Sequence, residues 1–248
     1  PRARHLALDA ARGTRDHTQE VSGWLNGCWR RRMEATLVTL DRSHSATLRR
    51  LMTEAFADAP GTRYMFRSAS EHARWHPRFS ASHAQDMLRR AFVMGAVATR
   101  PDDDRGRQEL VGVVDLYPVG EYGRNRRGLG FYFGVLRLLP MAFWPGLLDR
   151  VSEIVHLTYS MRALWANSMY VSALAVKREH RRQGIGVALM KAAQARAAGA
   201  GRPIFLHSWS PLVPYYERLG FRTVDEAQLP GMSVSLHGMA TGAYVSLP

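Results

Sequence analysis

The residues best suited to chemistry lie between Val171 and Gly186, where an apolar strand runs through a basic, glycine-containing turn into a helix. The first amides of a helix have no partner inside it and lie at the positive end of its dipole. Gly184 and Gly186 lack a Cβ, so a phosphate can approach the backbone closely, and Arg181 and Arg182 add positive charge. The turn therefore predicts a pyrophosphate-binding site.

Two nucleotide motifs fit this turn less well. A dinucleotide fingerprint has three glycines as Gly-x-Gly-x-x-Gly, whereas only Gly184 and Gly186 are usefully spaced here and position 189 is Leu. A nucleoside-triphosphate loop needs Gly-Lys-Ser/Thr, which the turn lacks. A capped helix with glycines present by chance stays as the alternative without a ligand.

A third comparison fits better. Arg181-x-x-Gly184-x-Gly186 after an apolar strand resembles the acetyl-CoA signature of the GNAT acetyltransferase superfamily, Arg/Gln-x-x-Gly-x-Gly/Ala. The later stretch 215–221, Tyr-Tyr-Glu-Arg-Leu-Gly-Phe, resembles the superfamily's aromatic-Tyr-Glu-x-x-Gly-Phe motif. It begins 29 residues after Gly186, with a predicted helix and strand between. Ala55-Phe56-Ala57-Asp58 with Pro60, together with the run 214–221, resembles puromycin-type acetyltransferases, and the stretch 212–216, Leu-Val-Pro-Tyr-Tyr, resembles arylalkylamine-type acetyltransferases.

The resemblance implies an α/β (α+β) GNAT fold, whose mixed central sheet splays at the acetyl-CoA site between flanking helices. It also implies direct transfer of acetyl from acetyl-CoA to an amine, without an enzyme nucleophile. The pantetheine arm would bind along Leu174, Ala175 and Val176. The residues implied at the pyrophosphate are Arg181, Arg182, Gln183, Gly184, Ile185 and Gly186.

The same resemblance suggests the acid and leaves the base open. Tyr216 would donate a proton to the leaving thiolate, a role that suits a phenol. Many members carry a Glu where this chain has Ser172, so the usual base is missing. His207 is the candidate base because an imidazole suits neutral pH, and a packed strand-end histidine is its alternative. Asp115 and Glu121 are further candidates.

The composition narrows the class of protein. The chain of 248 residues, 46% apolar and 22% charged, resembles an ordinary folded protein. No window approaches the roughly 18 uninterrupted apolar residues of a membrane-spanning helix. The single cysteine, Cys28, excludes a disulfide-built scaffold. No targeting pattern appears, so a cytoplasmic location is expected. The sequence leaves a homodimer open.

The formal net charge of +13 favours anionic ligands. The basic residues spread along the chain, whereas a nucleic-acid-binding protein typically gathers them in a patch with aromatic residues between. A solvated basic surface is therefore expected, and nucleic acid is not expected as a partner. His72 and His76 are one helical turn apart, but Pro77 follows and no Glu lies between them. We expect a surface pair there and predict no metal site.

Residues 1–32 are arginine-rich without an apolar period, so they are expected to form a flexible extension before an acetyltransferase domain at 33–248. Periodicity predicts helices from Ser43 or Ser45 to about Ala57, from about 82 to 93 and over 184–198, broken helices over 131–165 and a short helix over 211–219. It predicts strands over 35–40, 95–99, 110–117, 169–176, 203–206, 221–224 and 232–239, with a turn at 102–106 joining a hairpin.

Three functions remain open on the sequence. The first is acetylation of a small-molecule amine of xenobiotic or antibiotic type. The second is acetylation of a protein or peptide, and the third is a non-catalytic acyl-CoA-binding module. An aromatic pocket would favour the first, and the residues that could line one are Tyr64, Phe66, Trp75, Phe79, Tyr132, Phe133, Phe143 and Trp144.

Overall fold

The computed structural model describes residues 35–99, 108–120, 144, 146–163 and 165–242. The predictions for the extension at 1–32, for the turn at 102–106 and for Glu121 lie outside these residues. So do residues 131–143 of the predicted broken helices.

The strands are β1 Ala35–Thr39, β2 Phe92–Thr99, β3 Gln108–Leu116, β4 Met169–Val171, β5 Leu174–Val176, β6 Ile204–Trp209, β7 Arg222–Gln228 and β8 Ser235–Ala240. The α-helices are α1 Ser45–Phe56, α2 Pro60–Met65, α3 Ala69–Arg90, α4 Leu147–Ala163, α5 Ile185–Gly199 and α6 Val213–Glu217. Short 3-10 turns cover Arg42–His44, Arg178–His180 and Ser210–Leu212.

The strands form two four-stranded sheets that share one stretch of chain. The first sheet has the order β1-β2-β3-β5 and is antiparallel throughout. The second has the order β4-β6-β8-β7, and its β4–β6 pair is parallel. Because β4 and β5 follow one another along the chain, the sheets diverge between β5 and β6. This confirms the expected mixed α/β fold with a splayed sheet.

The strand predicted over 169–176 is interrupted by a bulge. Tyr117 and Tyr170 exchange two backbone hydrogen bonds of 2.8 and 3.0 Å, and Asp115 N–H then donates to the carbonyl of Ala173. Two steps along β3 thus match three steps along the partner, so one extra residue lies at Ser172. An extra residue of this kind bends a strand and increases its twist. The bend sends β5 to the first sheet while β4 stays in the second.

Helices cover both faces of the first sheet. On one face α1 and α3 bury Leu48, Met52 and Met87 against Ala173 and Ala175.

On the other face α5 lies close against β3. A Cβ on Gly112 would lie 3.0 Å from side-chain atoms of both Ile185 and Leu189. The lack of a side chain at Gly112 therefore lets α5 approach, which fixes the beginning of α5 beside β5.

Helix α3 begins at Ala69, thirteen residues before the predicted start at 82. Pro77 lies inside it, and the polar first half hides the apolar period. The helix begins with a capping box, in which Ser68 Oγ accepts from Glu71 N–H and the Glu71 carboxylate accepts from Ser68 N–H. The Ser-x-x-Glu spacing was the available signal for this start.

Helix α4 is continuous over 147–163, where the sequence predicted broken helices. Buried polar contacts fix it to α2 and α3. The Arg150 guanidinium lies 2.7 Å from Glu71 and also donates to the Met65 carbonyl over 3.0 Å. Tyr64 donates to Glu153. These contacts make α2, α3 and α4 one packed group beside the second sheet.

Candidate active site

Two hydrogen bonds determine which amides of β5 belong to the first sheet. Asp115 N–H donates to the Ala173 carbonyl over 3.2 Å, and Lys177 N–H donates to the Val111 carbonyl over 2.8 Å. In an antiparallel pair, hydrogen-bonded positions alternate with positions that are not bonded. Ala175 lies midway between the two bonded positions, so its N–H and C=O face β3.

The alternation leaves Leu174 and Val176 with their N–H and C=O groups directed away from β3, on the side where the sheets diverge. The Val176 carbonyl accepts from Arg181 Nε over 3.1 Å. The edge of β5 thus presents the Leu174 amide group and the Val176 N–H to the gap. This suits the role predicted for Leu174 and Val176. Ala175, which was predicted with them, instead pairs its backbone with β3 and has no free amide for a ligand.

The turn before α5 has the backbone of an anion cradle. Gly184 is the N-cap of α5 with a left-handed φ of 86°, and Arg182 also has a positive φ of 61°. A left-handed φ costs a residue with a Cβ about 1–3 kcal/mol, and such residues cluster at ligand sites. The helix that follows directs the N–H groups of its first turn out of its end.

Gly186 and Tyr215 meet at this end of α5. A Cβ on Gly186 would lie 2.9 Å from the Tyr215 hydroxyl oxygen and 3.7 Å from Val176 Cγ2. The hydroxyl oxygen is buried and has no hydrogen-bond partner among the described residues. Burial raises the pKa of Tyr215 to about 12, so the phenol keeps its proton. A pyrophosphate fits here because it supplies the acceptor that this hydroxyl lacks.

The remaining residues of the turn hold the loop together. Arg181 Nη2 reaches the Ala55 carbonyl over 3.3 Å, so its side chain links α1 to β5. Gln183 Nε2 donates to the Glu179 carbonyl over 3.0 Å. Arg182 is exposed and Ile185 is buried. Arg181 and Gln183 thus use their side chains to hold the loop. The Arg182 side chain is exposed, and the described residues supply no hydrogen bond or ion pair to its guanidinium.

Tyr216 is buried with 7% of its surface exposed, and it packs edge-on against Tyr215 and Phe221 with ring centroids 5.0 and 5.8 Å apart. Burial raises the pKa of Tyr216 above its usual range, which keeps the hydroxyl protonated at neutral pH. The sequence analysis gave a role to Tyr216 and none to Tyr215. The structure brings the Tyr215 hydroxyl to the cradle and buries Tyr216 next to it.

His207 lies in a packed aromatic environment. Its Nδ1 is 3.0 Å from the Tyr170 hydroxyl, and its ring lies edge-on to Phe205 at 5.0 Å. Burial, together with the nearby charge of Arg162, lowers the pKa of His207 to about 3. Such an imidazole takes up a proton poorly, so the environment favours the packed strand histidine over the base predicted at this position.

A second polar group lies at the bulge, and it contains a residue that the sequence did not single out. Asp115 is fully buried, and its Oδ1 accepts the N–H groups of Ser172 over 2.9 Å and Ala173 over 2.8 Å. The Ser172 hydroxyl donates to Oδ2 of Asp115. His83 Nε2, from α3, lies 2.8 Å from the same hydroxyl. A histidine, a serine and an aspartate thus form a chain across α3, β4 and β3.

The two ends of this chain titrate differently. Burial raises the pKa of Asp115 to about 7, although three donated hydrogen bonds oppose the rise. Burial lowers the pKa of His83, and the Asp86 carboxylate one turn later opposes that shift. Asp86 itself accepts from the Tyr117 hydroxyl over 2.9 Å and pairs with Arg90 at 3.1 Å. Because Asp115 is fully buried, its carboxyl group cannot contact an acceptor amine directly. This argues against Asp115 as the base, a role for which the sequence had made it a candidate.

The expected surface pair His72 and His76 is a packed pair instead. Their ring centroids are 4.7 Å apart, and His76 is only 2% exposed. His72 Nε2 is within 3.0 Å of the Ala57 carbonyl. Among the residues that the structure describes, no group of three histidine, cysteine, aspartate or glutamate side chains is placed to hold a metal ion. Within the same residues, no helix is long and apolar enough to cross a membrane.

The aromatic residues proposed to line a pocket mostly pack on one another. Phe66 and Trp75 are each 3% exposed, and Trp75 lies edge-on to Trp144 at 6.1 Å. They join Leu147 and Val151 in one core cluster. Tyr132, Phe133 and Phe143 lie outside the described residues. The described aromatic residues therefore build the packing between α2, α3 and α4.

A mixed sheet that splays beside a glycine turn at a helix N-terminus is the architecture of the GNAT acetyltransferase fold. Residues 152–240 match the acetyltransferase (GNAT) domain family. The matched residues include the turn before α5 and the stretch 215–221, and the match indicates an acyltransferase as the enzyme class.

Two solved structures share the fold. Arylalkylamine N-acetyltransferase 2 from Aedes aegypti is 14% identical, with 84% of this chain and 98% of that chain covered and a TM-score of 0.59. A histone acetyltransferase HPA2 and related acetyltransferase structure from Corynebacterium glutamicum is 18% identical, with 87% and 99% covered and a TM-score of 0.54. No curated protein matches the chain.

Proposed function

We propose that this protein transfers acetyl from acetyl-CoA directly to the amine of a small molecule. The observation that carries the proposal is the juxtaposition of the β5 edge with the N-terminal end of α5. Leu174 and Val176 direct backbone groups into the gap. A Cβ on Gly186 would lie 3.7 Å from Val176 Cγ2, so the turn is next to this edge of β5. One extended thioester ligand can contact both.

Acetyl-CoA supplies an activated acyl group, and the chain supplies its placement. The amides of Gly184, Ile185 and Gly186 would hold the pyrophosphate, with the Tyr215 hydroxyl as an additional donor. The Leu174 and Val176 backbone would bind the pantetheine arm. A backbone N–H at this edge would polarise the thioester carbonyl, as donors of an oxyanion hole do. Tyr216, held protonated by burial, would donate to the leaving thiolate.

A small acceptor is favoured over a peptide by the closed contact at Gly61 of α2. A Cβ there would lie 3.1 Å from the ring of Trp209 and 3.6 Å from Ile154 of α4. Trp209 is the last residue of β6, so α2 and α4 abut the end of the strand that borders the gap. A peptide acceptor needs an open groove across this end of the sheet, and the abutting helices restrict it.

An acceptor panel tests the proposal. Purified protein is incubated with acetyl-CoA and single acceptors, and free CoA thiol is measured. The panel contains alkylamines, arylalkylamines and a lysine-containing peptide. We expect turnover with one or more small amines, saturable binding of acetyl-CoA in calorimetry, and loss of that binding in Gly186→Glu. Turnover of the peptide without turnover of any small amine would refute the small-molecule assignment. Binding without turnover would indicate a non-catalytic acyl-CoA-binding module.

The boundaries of the domain belong to the same proposal. We assign 33–248 to the acetyltransferase domain and 1–32 to an extension before it. A fragment that begins at Met33 is expected to keep the affinity of the full chain for acetyl-CoA, and a loss of affinity in calorimetry would contradict these boundaries.

A further inference from the structure

We infer that His83 is the general base that takes the proton from the acceptor amine, with Ser172 and Asp115 as the residues that position it. The inference rests on the proposed function, since it concerns the amine of that reaction. It answers a question that the sequence left open, because Ser172 occupies the place where a carboxylate base was expected. The structure places an imidazole from α3 on that serine instead.

The hydrogen bonds determine the form of the imidazole. Asp115 accepts three donated hydrogen bonds, including the Ser172 hydroxyl, which marks it as the acceptor end of the chain. Because the Ser172 hydroxyl donates its one hydrogen to Asp115, its oxygen must accept the hydrogen bond from His83 Nε2–H. The lone pair of neutral His83 therefore resides on Nδ1. When Nδ1 gains a proton, the ionised form of Asp115, which prevails above its pKa of about 7, stabilises the imidazolium through Ser172.

The position of the hydrogen-bonded group of His83, Ser172 and Asp115 fits the reaction. Ser172 is the bulge residue, two positions before Leu174, whose amide group faces the gap proposed for the thioester. His83 is partly exposed, so a proton taken up at Nδ1 can pass to solvent. By contrast, His207 is packed among aromatic rings on β6, and Asp115 has no exposed surface. Of these three candidates, His83 alone combines exposure with a fixed tautomer.

The proton balance of the step is as follows. The ammonium form of the acceptor loses one proton to His83 Nδ1, and the freed lone pair attacks the thioester carbonyl carbon. A C–N bond forms, the C–S bond breaks, and the thiolate takes a proton from Tyr216. The nitrogen of the new amide gives up its second proton, which restores the Tyr216 phenol. His83 releases its proton to solvent, so one proton leaves per acetyl group transferred.

The test compares two amines that differ in their need for a base. An alkylamine of pKa about 10, like the lysine side chain, is protonated at pH 7, whereas an arylamine is already neutral. Phenethylamine and aniline serve as probes. We expect His83→Gln to lower kcat/KM for phenethylamine by about 100-fold or more while aniline changes little. The loss for phenethylamine should shrink as the pH rises toward the pKa of the amine.

Glutamine at position 83 keeps a side-chain N–H that can donate to Ser172. The matched control is His156→Gln, which makes the same change at an exposed position of α4. Ser172→Ala keeps the imidazole and cuts its link to Asp115, so the acid limb of the phenethylamine profile should move to lower pH. Equal losses on both amines, or none, with active wild-type protein would overturn the role of His83 and leave the proposed function standing. If the wild-type protein acetylates neither amine, nor any amine of the acceptor panel, the proposed function fails, and the base fails with it.

Discussion

Gly186→Ala is the substitution that tests the cradle most directly. The new Cβ would lie 2.9 Å from the Tyr215 hydroxyl oxygen, whereas ordinary contacts begin at 3.4 Å. One of the two groups must move by about 0.5 Å, and the Tyr215 ring is held by its edge-on contact with Tyr216. The methyl group would also occupy the space through which a phosphate would reach the first amides of α5.

The expected effects on stability and on binding separate in this series. Alanine is favoured over glycine by about 1 kcal/mol in a helix interior and by less at Gly186, the second residue of α5, whereas overpacking costs about 1–3 kcal/mol. The free energy of unfolding of Gly186→Ala should therefore fall by about 0–3 kcal/mol. Adding Tyr215→Phe removes the hydroxyl, so the double variant should regain that loss. Acetyl-CoA affinity should drop by at least about tenfold, or 1.4 kcal/mol, in both the single and double variants.

Urea unfolding gives the stability, and calorimetric titration with acetyl-CoA gives the affinity. Gly199→Ala is the matched control, because it adds the same methyl group to the far end of α5, where nothing lies within 4 Å. It should keep the wild-type affinity. A double variant of Gly186→Ala and Tyr215→Phe that binds acetyl-CoA as tightly as Tyr215→Phe alone would refute the assignment of the pyrophosphate to Gly186.

Tyr216→Phe should lower kcat by about 100-fold with the acetyl-CoA dissociation constant unchanged, and an unaltered kcat would assign the thiolate proton to another donor. Burial lowers the pKa of His207 to about 3, so stability present above pH 6.5 should be lost as the pH falls toward 3. His207→Gln should reduce that loss in urea unfolding at pH 7 and 4.5, and an equal loss would contradict the buried neutral imidazole. Glu109→Gln leaves the mostly buried Lys177 ammonium with only the exposed Glu179 carboxylate at 3.9 Å and should cost about 1–3 kcal/mol, and an unchanged unfolding midpoint would contradict this.

Local periodicity was enough to predict several elements closely. The apolar stripe with Ile185 and Leu189 predicted α5 within a residue at each end, because that helix presents one packed face and stops after Gly199. Strand β1 was also predicted well. The hairpin of β2 and β3 was predicted with short strands. The apolar residues 92 and 93 were assigned to the preceding helix, and the polar Gln108 and Glu109 pair within the sheet before the apolar run of β3.

The features that could not be predicted from the sequence depend on contacts between residues far apart in the chain. The 169–176 run reads as one buried strand, and only its partners on β3 and β6 reveal the bulge and the split between sheets. His83 lies 89 residues before Ser172 in the chain, and no spacing pattern joins them. The roles of Tyr215 and Tyr216 depend on which ring faces Gly186, which is set by the way the short α6 packs against α5.

The single extra residue at Ser172 has a consequence for the phase of the backbone. Tyr170 and Ala173 both lie at hydrogen-bonded positions although they are three residues apart, whereas such positions recur every two residues in a regular ladder. If the register of Tyr170 continued without the bulge, Leu174 would lie opposite Val113 and Val176 opposite Val111, and the ladder would take up both of their amides. Ala175 would then offer its amide to the gap. The extra residue therefore acts as a parity element between β4 and β5, because it sets which alternate amides of β5 a ligand meets.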